Sequence, residues 1–534
     1  MKSINLPTAC RIAILGLASI ASCTSGPVVD LGYARYQGSY DLASDINTFY
    51  GIRYAQAPTG TLRWQAPQSI EAKNNYSKTA VINATTVGVA CHQTLPGWFS
   101  TAGFPSGTLP GSEDCLLLDV LAPANPNSSN LPVMVQIHGG GYTTGSAETV
   151  SPGNSLVYQS GGSLIYVSIQ YRLGAHGFLG GPKFLENGVG NVGLLDQRAA
   201  LEWVKRNIEN FGGDPNQVTI IGGSAGGGSV TQQLTLYGGV SDPPFRAAIA
   251  DYPWWQPFHD DGVLQSQYDL LLNFTSCGDL ECLRGVPEAE LANATGTVSQ
   301  VAYEAGFYGY GDFYFGPYVD GTVVLDLPSE QFKKGNFAKV PLLTDREGYE
   351  GTLFSNPNEV TIEQATAGLE ILFPNAEGSF FTRLFQLYPS SDFNSTFFQR
   401  QQIFGDFIIN CPTYYMASAV SDLGIPAYKM IFNAGRQTHG SLGDFITSVE
   451  LNGTGNNVTL GSIIRSYYIS FAVALDPNTN SYTNISHPYW PSYQENEGNF
   501  SVLDVTYTTV GAAPDREASA QCDFFHSQSY AIRN

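Results

Sequence analysis

Cationic side chains are scarce in this chain. Its 534 residues hold 25 Lys plus Arg against 46 Asp plus Glu, a net charge of -21. A surface so acidic excludes nucleic acid and anionic membrane as partners, because both require a cationic face. Long apolar runs are missing too. The longest candidate, Ile12 to Ile20, is nine residues, too short to span a bilayer, so no stable membrane insertion is expected. No His-Glu-x-x-His, Cys-x-x-Cys or phosphate-loop string occurs, and neither a metal nor a nucleotide cofactor is expected. A Gly-x-Gly-x-x-Gly match at Gly188, Gly190 and Gly193 has no strand before it and is not read as a dinucleotide site. Histidine is limited to seven positions: 92, 138, 176, 259, 439, 487 and 526. Any chemistry that needs a neutral base has few places to find one.

What is present is a globular composition, 43% hydrophobic and 12% aromatic, preceded by a targeting segment. Lys2 and Arg11 lead into the short apolar run, and small residues follow from Ala21 to Gly26. This pattern predicts a secretory signal over residues 1–25. A bacterial lipobox reading of Ile20-Ala21-Ser22-Cys23 is the rival. Cys10 and Cys23 fall in this segment. The remaining Cys91, Cys115, Cys277, Cys282, Cys411 and Cys522 are even in number, which in an exported chain predicts three disulfides. Asn-x-Ser/Thr sequons at Asn75, Asn83, Asn127, Asn273, Asn293, Asn394, Asn452, Asn457, Asn484 and Asn499 suggest an N-glycosylated surface and a eukaryotic host.

The stretch Phe211–Ser229, FGGDPNQVTIIGGSAGGGS, organises the rest. It predicts a turn, a buried strand over Val218–Ile221, and a serine, Ser224, between glycines at the start of a helix. A serine on so sharp a strand-to-helix turn requires neighbours without side chains. The turn aims its hydroxyl into a cleft and its next backbone N–H, that of Ala225, at an oxyanion. A second strand, Val133–Ile137, runs into His138-Gly139-Gly140-Gly141. These glycines let backbone N–H groups approach a substrate, and His138 reads as part of the loop rather than as a base. Strands are also predicted over Leu164–Tyr171, Arg246–Ala250, Val340–Thr344 and Ala427–Phe432. A helix over Leu195–Asn210 has Ala200, Trp203, Val204 and Ile208 on one face. Strand and helix alternate, which implies an α/β fold with a mostly parallel sheet.

Several blocks resemble the type-B carboxylesterase and lipase family. Phe49–Pro67 matches FxGIxYAxxPxGxLRW, Ser112–Val120 (SEDCLLLDV) is similar to its second signature, and Phe211–Gly226 meets the first. YRLGAHGFLG from Tyr171 also resembles the family, whose secreted fungal members the chain looks most like. The resemblance implies one α/β-hydrolase domain from about Val29 to residue 534. It joins Gly140 and Gly141 to Ala225 as oxyanion donors. His439, in HGSLGDF, resembles the family's HGxELxF loop and is the implied general base. Glu350, in EGTLF, satisfies EGxxF and is the implied orienting acid, with Glu347 and then Asp345 as alternatives. Trp254 matches a tryptophan that shapes the acyl pocket, and Trp98, with Phe99 and Phe104, could rim the site. Phe307 to Phe315 could line an apolar cleft. The disulfide pairs implied are Cys91–Cys115, Cys277–Cys282 and Cys411–Cys522. One departure is Gly223, where cholinesterase-like members usually carry Glu, which speaks against cholinesterase activity.

The expected activity is hydrolysis of small-molecule or lipid carboxylic esters by a secreted serine esterase working through an acyl-enzyme. The alternatives are an acyltransferase or a triacylglycerol lipase using the same residues, and a non-catalytic binding protein.

Overall fold

Twelve strands form one mixed sheet that carries the site. In the computed structural model, residues 26–534 are described except 78–79, 104–106, 148–151, 448–457 and 497. The predicted signal segment, Phe104 and the sequons at Asn452 and Asn457 lie outside the described residues. The strands are β1 (Ser39–Asp41), β2 (Ile46–Arg53), β3 (Leu117–Pro123), β4 (Leu131–Ile137), β5 (Ile165–Ile169) and β6 (Gly213–Gly223), followed by β7 (Ala247–Asp251), β8 (Leu342–Glu347), β9 (Ala427–Phe432), β10 (Gln494–Asn496), β11 (Asn499–Val505) and β12 (Val510–Pro514). Their order is β10-β11-β9-β8-β7-β6-β4-β5-β3-β2-β1, with β12 also paired to β11. The run β5-β4-β6-β7-β8-β9-β11 is parallel throughout. Antiparallel strands close both edges.

The central strands are buried along their whole length, as parallel strands covered on both faces must be. All residues of β4, β5, β7, β8 and β9 are buried. Alternation splits them between two cores. Val133, Val135, Ala248 and Ala250 join one with Leu194, Leu201 and Val204 of helix α1 (Val192–Asn207). Met134, Ile249, Leu343 and Met430 join the other with Ile464, Tyr467 and Phe471 of helix α3 (Val458–Ala474). No helix among the described residues is long and apolar enough to cross a membrane.

Helix α2 (Ala225–Thr235) packs against β6 and β7, and every residue in it is buried. Its glycines allow the approach: a Cβ on Gly226 would lie 2.2 Å from the Ile137 carbonyl oxygen at the end of β4.

Three disulfides tie the periphery, Cys91–Cys115, Cys277–Cys282 and Cys411–Cys522, the pairs the family resemblance implies. The Gly188, Gly190 and Gly193 string leads from a short helical turn, Pro182–Leu185, into α1, with no strand before it.

Strands β6 and β8 run beyond their sequence-based limits, and helix α1 starts three residues before its expected Leu195. Strand β6 starts at Gly213, inside the predicted turn, and its register against β4 shifts between Gly213 and Val218. Strand β8 continues through Asp345, Arg346 and Glu347, because each charged side chain finds a buried partner. Tyr468 Oη lies 2.9 Å from Asp345, Arg346 donates to Glu517 at 2.6 Å, and Glu347 receives backbone N–H groups.

Candidate active site

Ser224 follows β6 directly, Glu350 lies just past β8, and His439 lies on the loop after β9. These strands are near neighbours in a parallel sheet, so their carboxyl ends deliver all three residues to one rim, where open α/β sheets form their clefts. Ser224 has φ 60° and ψ -127°, a backbone region that costs about 1–3 kcal/mol for a residue with a side chain. The surroundings hold it there. The Ser224 N–H donates to Asp251 O at 3.2 Å, and its carbonyl accepts from Trp254 N–H at 2.9 Å and Gly228 N–H at 2.8 Å. The turn is thereby fastened to the segment that follows β7.

His439 Nε2 lies 2.7 Å from Ser224 Oγ and its Nδ1 lies 2.6 Å from Glu350 Oε2. Glu350 is 1% exposed, and its second oxygen accepts the Glu347 N–H at 2.7 Å. The two other carboxylates considered from sequence are placed differently. Glu347 accepts from Gly440 N–H at 2.6 Å and Leu442 N–H at 2.7 Å, so it grips the backbone on the C-terminal side of His439 rather than the imidazole. Burial, and then the neighbouring Glu350 carboxylate, push Glu347 well above its ordinary value, opposed by those two N–H groups. Asp345 lies on the far side, sharing Tyr468 Oη with Asp251 at 2.9 and 2.7 Å. The two loops are also stitched together, with Tyr349 N–H donating to Gln437 O at 2.7 Å.

A hydroxyl against an imidazole that is itself held by a buried carboxylate can pass its proton to the ring as it attacks an electrophile. Glu347, Glu350 and His439 offer donor atoms within 4.8 Å of one another, a spacing that could suit a metal ion. Both ring nitrogens already face Ser224 and Glu350, and both Glu347 oxygens receive N–H groups. The ligating atoms of this set are thus already engaged within the protein.

The glycine loop after β4 lies across from this group. A Cβ on Gly139 would be 3.1 Å from Ser224 Cβ, which fixes how closely the loop approaches the serine. Gly140 and Gly141 have φ of 111° and 61°. Among the described residues neither spends its N–H on a partner, while the Gly140 carbonyl accepts from Thr143 and Thr144. His138 is fully buried, stacked on Tyr171 with ring centroids 4.4 Å apart. Burial pushes its pKa down to about 4, so it stays neutral inside the loop.

Aromatic rings wall the site. Trp254 packs on Phe354, Phe313, Phe404 and the His439 imidazole, with centroids 4.5 to 5.9 Å apart. Trp98 stands one ring further out, against Phe313, Phe354 and Tyr310. The sequence reading missed Phe354 and Phe404 as wall residues, although Phe354 ends the EGTLF string. It also missed Tyr252, whose ring lies edge-on to His439 at 5.1 Å. A Cβ on Gly223 would be 2.3 Å from the Tyr252 hydroxyl. Glycine at 223, in place of the carboxylate usual in cholinesterase-like members, thus makes room for this tyrosine.

A model of the carboxylesterase family matches residues 25–525. The chain belongs to the carboxylesterase family. Among its relatives, carboxylesterase patB of Penicillium expansum is 30% identical over 94% of this chain and 96% of its own length. Secreted lipase 1 of Botryotinia fuckeliana is 32% identical over 84% of each chain, and lipase 2 of Geotrichum candidum 32% identical over 85% of this chain and 87% of its own. The crystal structure of Aspergillus niger EstA superposes with a TM-score of 0.83 at 29% identity, covering 96% of this chain and all of that one. A structure described as a PNB esterase gives 0.76 at 27% identity over 95% and 99% of the two chains. The fold is therefore that of the α/β-hydrolases, and this family member is a carboxylic ester hydrolase.

Proposed function

We propose that this carboxylesterase-family chain is a secreted serine esterase in which Ser224, His439 and Glu350 form the catalytic triad. The observation that carries the reading is the two-sided hold on His439, 2.7 Å to the Ser224 hydroxyl and 2.6 Å to Glu350. In the reaction, Ser224 Oγ attacks the ester carbonyl while His439 Nε2 takes the hydroxyl proton. The carbonyl oxygen becomes an oxyanion that receives the N–H groups of Gly140, Gly141 and Ala225, each worth roughly 10²–10³ in turnover. Glu350 holds the proton on Nδ1 and stabilises the imidazolium. That imidazolium protonates the departing alcohol, leaving an acyl group on Ser224, and water repeats the steps in reverse. The aromatic wall of Trp254, Phe313 and Phe354 favours apolar esters.

Export fits this reading. The eight sequon asparagines among the described residues (75, 83, 127, 273, 293, 394, 484 and 499) are all exposed, and three disulfides are formed. Residues 1–25 would be the signal removed on secretion.

The test is covalent. Incubation with a fluorophosphonate should abolish hydrolysis of a short-chain nitrophenyl ester and place one phosphonyl group on the peptide carrying Ser224, read by mass spectrometry. Inactivation with the label elsewhere would overturn the assignment. A second outcome concerns Glu347. Glu347→Gln leaves one acceptor for the two N–H groups of the His439 loop. It is expected to lower kcat by about 10–100-fold through misplacement of the base, with less change in KM. Unchanged kcat would show that the loop holds His439 without this anchor.

A further inference from the structure

Of the buried arginines, Arg63, Arg172 and Arg346 each grip a carboxylate at 2.6 to 2.7 Å. Arg400 lies 3.6 Å from Glu359, while Arg198 feels the charge of Glu202, and Arg533 those of Asp312 and Asp260. Arg465, in helix α3, has no acid beside it among the described residues. It is 3% exposed, and burial alone acts on its guanidinium, lowering its pKa. Buried charges are ordinarily paired, because leaving water without a counter-charge is costly.

Two of its three nitrogens are used inside the protein. Nε donates to Gln159 Oε1 and Nη1 to the Phe445 carbonyl, both at 2.7 Å. Nη2 has no hydrogen-bond partner among the described residues, yet it is not sealed as the unpartnered nitrogens of Arg400 and Arg533 are. Arg465 lines a recess of about 550 Å³ between α3, the helix Asn154–Gln159 and the turn after β1. The open nitrogen of so buried a residue meets solvent there. Tyr158, Val458 and Ile485 make the wall apolar, with Tyr158 58% and Val458 40% exposed. The polar groups beside them are already committed. Ser155 Oγ donates to Thr447 O at 3.0 Å and Gln159 Nε2 to Ser462 O at 2.7 Å. The exposed Asp41 carboxylate accepts from Ala43 N–H at 3.1 Å and Ser44 Oγ at 2.5 Å. An apolar wall with one placed charged donor is the usual make-up of a small-molecule site, and the volume falls in the usual range of about 300–1,000 Å³.

We propose that this recess is a second ligand site, separate from the cleft of Ser224, and that it binds an aliphatic carboxylate. The carboxylate head receives the Arg465 Nη2–H in a charge-assisted bond, and the alkyl chain covers Tyr158, Val458 and Ile485. Aliphatic acids are a class of product that ester hydrolysis releases. The site shares no residue with the cleft of Ser224, so it does not depend on the triad. A chain of net charge -21 is repelled by an anionic bilayer. The ligand is therefore the dissolved acid rather than a lipid surface.

Calorimetric titration tests this on the full chain after fluorophosphonate has closed the Ser224 cleft. The probes are decanoate, kept below its micelle concentration, decanol and acetate. Decanoate should bind at one site, at least about 10-fold more tightly than decanol, which lacks the charge, and than acetate, which lacks the chain. Arg465→Gln should bring decanoate down to the level of decanol. Tyr158→Glu, at an exposed position, should weaken decanoate about 10-fold or more and leave ester hydrolysis by the unlabelled protein unchanged. Should Arg465→Gln not fold, the decanol comparison and Tyr158→Glu decide. No binding of decanoate, acetate binding as tightly as decanoate, or decanoate binding that either folded variant leaves intact would each overturn the proposal. So would recovery of the protein on phosphatidylglycerol vesicles in place of decanoate binding. Absence of label on Ser224 would count against the triad alone, and the same three probes would still decide the site.

Discussion

Ser224→Ala should lower kcat for a short-chain nitrophenyl ester by about 10⁴–10⁶, with KM little changed. The size follows from what the hydroxyl does. In the proposed mechanism it supplies the bond to the substrate, and without it neither His439 nor Glu350 has a proton to move or a charge to balance. Residual catalysis of about 10³–10⁴ over water would remain, because the amides of Gly140, Gly141 and Ala225 still receive an oxyanion formed by direct water attack. The variant should fold normally. The strained backbone at 224 is held through its N–H and carbonyl by Asp251, Trp254 and Gly228, and alanine keeps those bonds. A circular dichroism spectrum and melting temperature matching the wild type, alongside the loss of rate, would complete the result. Retention of a tenth of the activity would exclude Ser224 as nucleophile.

Glu350→Gln is expected to cost about 10³–10⁴ in kcat. One carboxylate oxygen faces His439 Nδ1 at 2.6 Å and the other faces the Glu347 N–H at 2.7 Å. Both demand an acceptor. A glutamine has one, and its amide NH2 must turn towards the other. If the amide oxygen keeps the backbone N–H, the NH2 group points at Nδ1, and the imidazole carries its proton on Nε2. That tautomer donates to Ser224 instead of accepting from it, and the base is lost. The opposite orientation sets the NH2 group against a buried backbone donor. Steady-state kinetics of Glu350→Gln beside Glu347→Gln separates the roles, since the deeper loss should fall at 350. A deeper loss at 347 would reverse the assignment of acid and loop anchor.

The elbow around Ser224 was legible because its requirements are local. Glycines at 222, 223 and 226 to 228 with a β-branched strand before them leave few alternatives to a tight strand-to-helix turn. The alternation of Val133, Met134 and Val135 between two cores follows from the same short-range pattern. Less legible was anything that depended on partners far along the chain. Strand β8 runs on through Asp345, Arg346 and Glu347, and β9 holds a fully buried Lys429, which donates to Asp515 at 2.7 Å and Glu517 at 3.0 Å. Apolar patterning stops at such residues, because their burial depends on partners far along the chain: opposite charges for Arg346 and Lys429, the Tyr468 hydroxyl for Asp345 and backbone N–H groups for Glu347. The separation of Glu350 from Glu347 has the same origin. Both precede glycine; the family resemblance ranks Glu350 first through EGxxF, and the loop-anchoring contacts of Glu347 come from the fold alone. Tyr252 and Phe404 escaped notice because nothing near them in sequence marks a ring that will meet His439 or Trp254.

The most direct test of the account is the kcat/KM of Ser224→Ala, His439→Ala and the double variant, measured on one ester. A hydroxyl and an imidazole that act as one device lose their function together. The double variant should therefore be no slower than the slower single variant, within about threefold. Losses that multiply, so that the double variant falls far below either single variant, would mean that the two side chains contribute independently, and would contradict the triad.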